Sequence, residues 1–426
     1  MINKKKILVT VAITALSAGA VAGCGSSDDG DGPVTLNLMI WDPAQKPGVQ
    51  KAVDAFMAEN KDIKVELEQV PQDQYYTKLD SALSAGEGPD VMWQSSRIPF
   101  YVKGGVIEPL DSYIEKDKID LGNYSEQITK LYNIDGKQYG IPKDQDLWAM
   151  VINTKVFNDF GVKIPEGEWT WDDMLATAKE IKAKQTKSTD RPLHYDFGIW
   201  NGYPSIFRTL GGEFFNAEMK AGFDSEQGKK ALELIENLQK EGLINEISNS
   251  ADFDPVSSLI SGSVSMAYIP SWNFSLLQKA DAPANTFKLM PLPSINGKWM
   301  MDTNGLSYVM SANSKHKEAS WKLIKFLTSD KGAELHAEGG AALPANNSAA
   351  VQEAFAKANS NLADLDYILK EGPKHTYLRI STQYPAVRSI APKINSDILG
   401  AYYTGKMSVD DTVKNLDKAL NEVVNK

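Results

Sequence analysis

The chain has 426 residues, 42% of them hydrophobic and 23% charged, and a formal net charge of −10. This length and composition suit a soluble globular protein of two or three domains with a large core. The acidic balance speaks against nucleic acid and against an anionic membrane surface as partners, because both are held by basic patches.

In chain order, Lys4-Lys5-Lys6 is a basic opening and Ile7 to Ala22 an apolar run too short to span a bilayer. The run ends Val21-Ala22-Gly23-Cys24, and Cys24 is the only cysteine, so no intrachain disulfide forms. Small residues before a Cys resemble a bacterial lipobox, whose Cys is acylated and becomes the mature N-terminus. An ordinary signal peptide with an incidental Cys is the alternative. Residues 1–23 are therefore expected to be a lipoprotein signal peptide, whose loss with three Lys makes the chain more acidic. Residues 24–33 are polar and Gly-rich and read as a flexible tether. Their Asp-Gly alternation lacks the Glu that closes a calcium loop, and no metal or cofactor is expected.

Val34–Ile40 alternates apolar and polar residues and predicts a strand, with Trp41-Asp42 at its end. Val49, Val53, Phe56 and Met57 recur at helical spacing, and Ile63 to Val70 alternates again. Tyr76, Leu79 and Leu83 mark a second helix stopped by Gly86, and Pro89 to Trp93 a third strand. Strand-helix-strand-helix-strand predicts parallel pairing, with ligands beyond the carboxyl ends of the strands. Gln94 and Arg97 lie at such an end. Of Trp93 and Gln94, which point opposite ways, one is expected to be buried.

Gly136 to Thr154 reads either as a hinge crossing into a second unit or as a surface turn before a buried strand. Asp144 and Asp146, two apart, face the same side if extended. Beyond it, Trp171 to Lys184 is helical, Phe197 to Trp200 a short strand, and Ser205 to Leu210 and Lys229 to Lys240 helices. Met301 to Met310 reads as a return crossing carrying Asp302 and Asn304. Trp148, Trp171 and Trp321 sit in apolar patterns and are assigned to core. Trp41, Trp200, Trp272 and Tyr384 follow strands or lie in loops.

Several segments carry a resemblance in order: Pro89-Asp90-Val91, Gly105 to Asp111, Gly136-Lys137-Gln138-Tyr139-Gly140-Ile141-Pro142, and Trp169 to Met174. Gly262 to Met266 with Trp272, Ser314 to Ala319 before Trp321, and Gly405 to Asp411 continue it. Together they resemble the extracellular solute-binding lipoproteins of bacterial ABC sugar importers, a superfamily that includes maltose-binding protein. Ser265 stands where the family usually has Ala, and Pro270-Ser271 where it has Gly-x. The resemblance implies an α/β, two-lobed periplasmic-binding-protein-like fold (type II) with a ligand cleft between lobes joined by a hinge. Lobe 1 would hold residues 34–142 and 303–328, and lobe 2 residues 143–302 and 329–426. It implies a carbohydrate ligand, an oligosaccharide by the number of aromatics, delivered by a lipid-anchored monomer to the transmembrane permease subunits of an ABC importer. A sugar-sensing or adhesion lipoprotein and a polyol or glycerol-phosphate binder are the alternatives.

Sugars present hydroxyl rims, which pair with carboxylates, amides and guanidinium, and apolar faces, which stack on aromatic rings. The expected ligand residues are Trp41, Asp42, Gln94, Arg97, Asp144, Asp146, Trp200, Trp272, Asp302, Asn304 and Tyr384. The resemblance implies that Asp42, Gln94, Asp146, Trp272 and Tyr384 match ligand-contacting positions of the superfamily. Arg97 would donate to a hydroxyl or pair with a surface acid. So acidic a ring speaks against an anionic ligand. Asp144 and Asp146 could form a hydrolytic carboxylate pair, but no metal-protease spacing, nucleophile elbow or P-loop is present, and a binding protein is expected rather than an enzyme.

Overall fold

The computed structural model describes residues 33–245 and 253–424. The leader, Cys24 and almost all of the tether lie outside the described residues. No helix among those described is long and apolar enough to cross a membrane.

Two five-stranded sheets organise the chain. The first begins with β1 (Val34–Ile40), α1 (Lys46–Glu59), β2 (Ile63–Gln69), α2 (Gln72–Ala85) and β3 (Val91–Gln94). β1 lies between β2 and β3 and is parallel to both. α2 forms because Tyr75, Tyr76, Leu79 and Leu83 recur on one buried face, and it ends where Gly86 takes a left-handed φ of 75°. Two strands from later in the chain complete this sheet: Ser307–Met310, antiparallel to β3, and Ile141–Pro142 at its edge. Its core joins Leu36, Leu38, Val53, Phe56, Leu79 and Trp93 to Trp321, Leu323 and Ile324 of the helix Lys317–Thr328.

The second sheet runs Leu362–Ala363, Phe287–Met290, Trp148–Asn153, Val264–Pro270 and Arg191–His194. Every residue of Trp148–Asn153 and of Val264–Pro270 is buried, as in a sheet covered on both faces. Met174 and Ile181 cover it from the helix Trp171–Lys184, which opens on a reciprocal Thr170–Asp173 capping box. Leu416 and Leu420 of the terminal helix Val409–Val424 belong to the same core.

The segments passing between the sheets lie side by side. Lys143 N donates to Leu306 O at 2.8 Å and Asp146 N to Asn304 O at 2.7 Å. Gln145 N donates to Leu343 O at 2.9 Å, tying in a third pass. At Gly305 two of these crossings approach closely: a Cβ there would stand 2.3 Å from the Asp144 carbonyl oxygen.

Two local expectations change. Phe197–Trp200 is a turn, and the strand lies earlier, at Arg191–His194. The Asp196 carboxylate accepts from Gly198 N at 2.8 Å and the Asn395 side chain from Ile199 N at 2.8 Å, so side chains satisfy these amides in place of a ladder. Trp93 and Gln94 are both fully buried, because helices and loops cover the two faces of the sheet at β3.

Candidate functional site

A cleft of about 610 Å³ lies between the two sheets, within the usual range of about 300–1,000 Å³ for small-molecule sites. Trp41 and Asp42 enter it from the end of β1, Gln69 from the end of β2 and Ser95 just after β3. Ser271 and Trp272 enter after Val264–Pro270, and Asp144, Asp146 and Asn304 from the crossings. The carboxyl ends of the strands thus converge on one space. Arg379 and Arg388 reach it from the C-terminal part of the chain.

On the first-sheet side, Trp41 meets Tyr75 edge-on at 4.8 Å and Trp93 at 5.3 Å. Asp42 accepts from Ala44 N at 2.8 Å and from Gln45 Nε2 at 2.9 Å. Gln45 Oε1 in turn accepts from Lys143 Nζ at 2.7 Å. Lys143 forms a buried ion pair with Asp144 and stands 4.0 Å over the Trp93 ring. Burial pushes the Lys143 ammonium down and the Asp144 carboxyl up, and the contact between them opposes both shifts. Asp144 also accepts from Leu306 N at 2.7 Å.

On the other side, Arg379 donates through Nε to Asp302 at 2.6 Å and through a terminal nitrogen to Asp146 at 3.0 Å. Two carboxylates share one cation. Burial pushes Asp146 up to about 7; Arg379 opposes that shift, while the charges of Asp144 and Asp302 add to it. Trp272 is held edge-on by Trp148 at 5.2 Å, and Trp148 stacks on Tyr268 at 4.3 Å. The Trp272 ring is only partly buried and faces the cleft. Asn304 donates to Ser95 Oγ at 3.2 Å and accepts from Thr382 Oγ1 at 3.0 Å.

Six of the eleven residues singled out from the sequence therefore line one cleft: Trp41, Asp42, Asp144, Asp146, Trp272 and Asn304. The other five do not. Gln94 is fully buried in β3, opposite Ser307, and its side-chain amide has no hydrogen-bond partner among the described residues. Arg97 pairs with Asp80 at 3.3 Å and lies over Tyr76 at 4.0 Å, the surface-acid alternative. Asp302 is fully buried behind Arg379. Trp200 packs against the second core. Tyr384 rests on Phe215 at 4.3 Å and lines a separate pocket. The sequence reading passed over Gln45, Tyr76, Arg379 and Arg388. Tyr76 stood there only as a marker of helical spacing, and nothing local singled out the two arginines.

An interlobe cleft fed by strand ends, lined by aromatic rings and fixed polar groups, defines a two-lobed solute-binding protein. Residues 42–334 match the family model described as bacterial extracellular solute-binding protein, and the chain belongs to that family. Such proteins are the binding subunits of ABC transporters, not enzymes. The chain is similar to the galactooligosaccharide-binding protein of Bacillus subtilis, at 27% identity over 84% of this chain and 85% of that one. It shares its fold with the ABC substrate-binding protein of Listeria monocytogenes solved with cycloalternan (TM-score 0.80, 21% identity, 92% of this chain and 99% of that one). It shares it also with the sugar-binding protein MalE of Xanthomonas citri (TM-score 0.76, 21% identity, 92% and 98%).

Proposed function

We propose that this protein captures an oligosaccharide between its lobes and delivers it to the transmembrane subunits of an ABC importer. The observation that carries this is the pairing of Trp272 and Trp41, presented to the cleft, with a rim of carboxylates, amides and guanidinium already fixed by their own partners. Fixed polar groups cost little to order when a hydroxylated ligand enters, and the rings offer an apolar face for stacking. Ligand contacts fall to Trp41, Asp42, Asp144, Asp146, Trp272 and Asn304, with Tyr76 and Arg379 added. Relatives named for galactooligosaccharides and maltotriose support the ligand class.

Lobe 1 is taken as residues 34–142 and 303–328 and lobe 2 as 143–302 and 329–426. The protein acts as a monomer on the outer face of the cell membrane, held by lipid on Cys24. A relative named as a lipoprotein, LipO of Bacillus subtilis (25% identity over 76% of this chain), supports the anchor.

Thermal melting of the chain without residues 1–23, against a panel of mono- and oligosaccharides, tests the ligand class. A ligand at 100 times its Kd adds about 2.7 kcal/mol of stability. One glycan is expected to raise Tm, and Trp272→Ala to weaken its binding about tenfold, or about 1.4 kcal/mol. A flat response to every saccharide overturns the proposal.

A further inference from the structure

In number the cleft holds more acid than base, and from the sequence that weighs against an anionic ligand. That excess is not spread evenly. Asp144 is paired with Lys143, and Asp42 is held by the Ala44 amide and Gln45. Asp146 and Asp302 share Arg379, one cation against two carboxylates. Arg388 remains. Among the described residues its guanidinium has neither a carboxylate nor a hydrogen-bond partner. Its neighbours are two rings, Tyr76 at 5.8 Å and Trp200 at 5.9 Å.

The corner around Arg388 holds two guanidiniums, Arg97 being paired with Asp80 at 3.3 Å and Arg388 with no carboxylate among the described residues. Arg97 lies 4.0 Å from the centre of the same Tyr76 ring. Arg97 and Tyr76 come from the first-sheet side and Arg388 from the helix Val387–Lys393, whose Val387 is part of the second core. Burial makes the Arg388 cation less favourable; the nearby Tyr76 hydroxyl offsets this in part, and the like charges of Arg97 and Arg379 add to the cost. Arg97 and Arg388 thus already share one ring, and an anion entering with the ligand would relieve their repulsion.

We propose that Arg388 reads a carboxylate on the bound saccharide, so that the ligand is an acidic, uronate-bearing oligosaccharide with a sugar ring against Tyr76. The inference rests on the saccharide reading above. A carboxylate carries one charge, matching the one cleft cation left without a carboxylate among the described residues, and its two oxygens fit the planar guanidinium fork. A phosphate monoester brings about −1.5 to −2 and would be left partly uncompensated among the cleft acids.

The test is calorimetric titration of the chain without residues 1–23. The probes are oligosaccharides of galacturonate, glucuronate and mannuronate, each beside the same oligosaccharide after chemical reduction of its carboxyl groups. One acidic series is expected to bind roughly ten- to a hundred-fold tighter than its reduced form, as a charge-assisted hydrogen bond requires. Arg388→Gln should bring that ratio close to one, and Arg388→Lys, which keeps the charge without the fork, should restore part of it. Equal binding of acidic and reduced forms, or a preference that survives Arg388→Gln, overturns the inference and leaves the saccharide reading standing. Tighter binding of a phosphorylated sugar than of any uronate also overturns it. Binding of no saccharide overturns both.

Discussion

Asp146 and Arg379 join a crossing segment to the C-terminal part of the chain through a hydrogen bond of 3.0 Å, while the same guanidinium holds Asp302 at 2.6 Å. One positive charge is thus set against two negative ones in a buried place, and the pair of acids carries the excess. Burial pushes both acids up, Asp146 to about 7. The folded state then binds a proton at Asp146 more tightly than the unfolded chain, whose carboxyl titrates near 3.8. Stability from this group is present at low pH and is lost as pH rises from about 4 to about 7. Tm of the unliganded protein, measured against pH beside Asp146→Asn, should fall more steeply through that window in the wild type than in the variant, where Asp144, Asp196 and Asp302 remain. Parallel curves would remove the shared-cation account.

Lys143 gives a second prediction. Its ammonium is buried against Asp144, Gln45 and the Trp93 ring. Lys143→Met leaves the Asp144 carboxylate buried without a cation, which costs about 3–5 kcal/mol. Adding Asp144→Asn should recover much of that loss. Urea unfolding of the single and double variants measures both, and a single variant as stable as the wild type would show that the pair contributes little.

Gly305 sits where two crossings touch. A methyl group there meets the Asp144 carbonyl oxygen at 2.3 Å and Ile128 at 2.7 Å, and backbone cannot step aside as a side chain can. Gly305→Ala should cost about 1–3 kcal/mol by overpacking. It should also shift the relative setting of the lobes, which small-angle scattering with and without ligand detects. Unchanged Tm together with unchanged scattering would count against this contact.

The anchor is tested in cells. Cys24→Ala should move the protein from the membrane fraction to the soluble fraction, because one to several acyl chains supply the binding. Retention of Cys24→Ala on the membrane would show that something else holds it.

The start of the first sheet was legible because periodicity of two in β2 and of 3.6 in α1 and α2 each leave one buried face. The same rule fails for Gln94 and Asp302. Alternation tells sides apart only when one of them meets solvent, and both residues lie where both sides are covered. Trp272 and Asp146 were found by resemblance rather than by local pattern. Arg379 and Arg388 escaped because their partners are distant in sequence: Asp146 and Asp302 for one, Tyr76 and Trp200 for the other. Tyr384 carried a matching segment, yet its ring is taken up by Phe215, a contact invisible without the fold.

The first sheet needs Ser307–Met310 beside β3, and its core needs Trp321 and Ile324. A nascent chain that has delivered only its first 142 residues therefore owns an unfinished sheet with an open edge and an uncovered apolar face. Completion waits until four of the five strands of the second sheet have emerged, since only Leu362–Ala363 follows Ser307–Met310 and the helix Lys317–Thr328. Discontinuity of this kind makes maturation late and concerted, and it keeps the polypeptide loose and threadable during the interval before that.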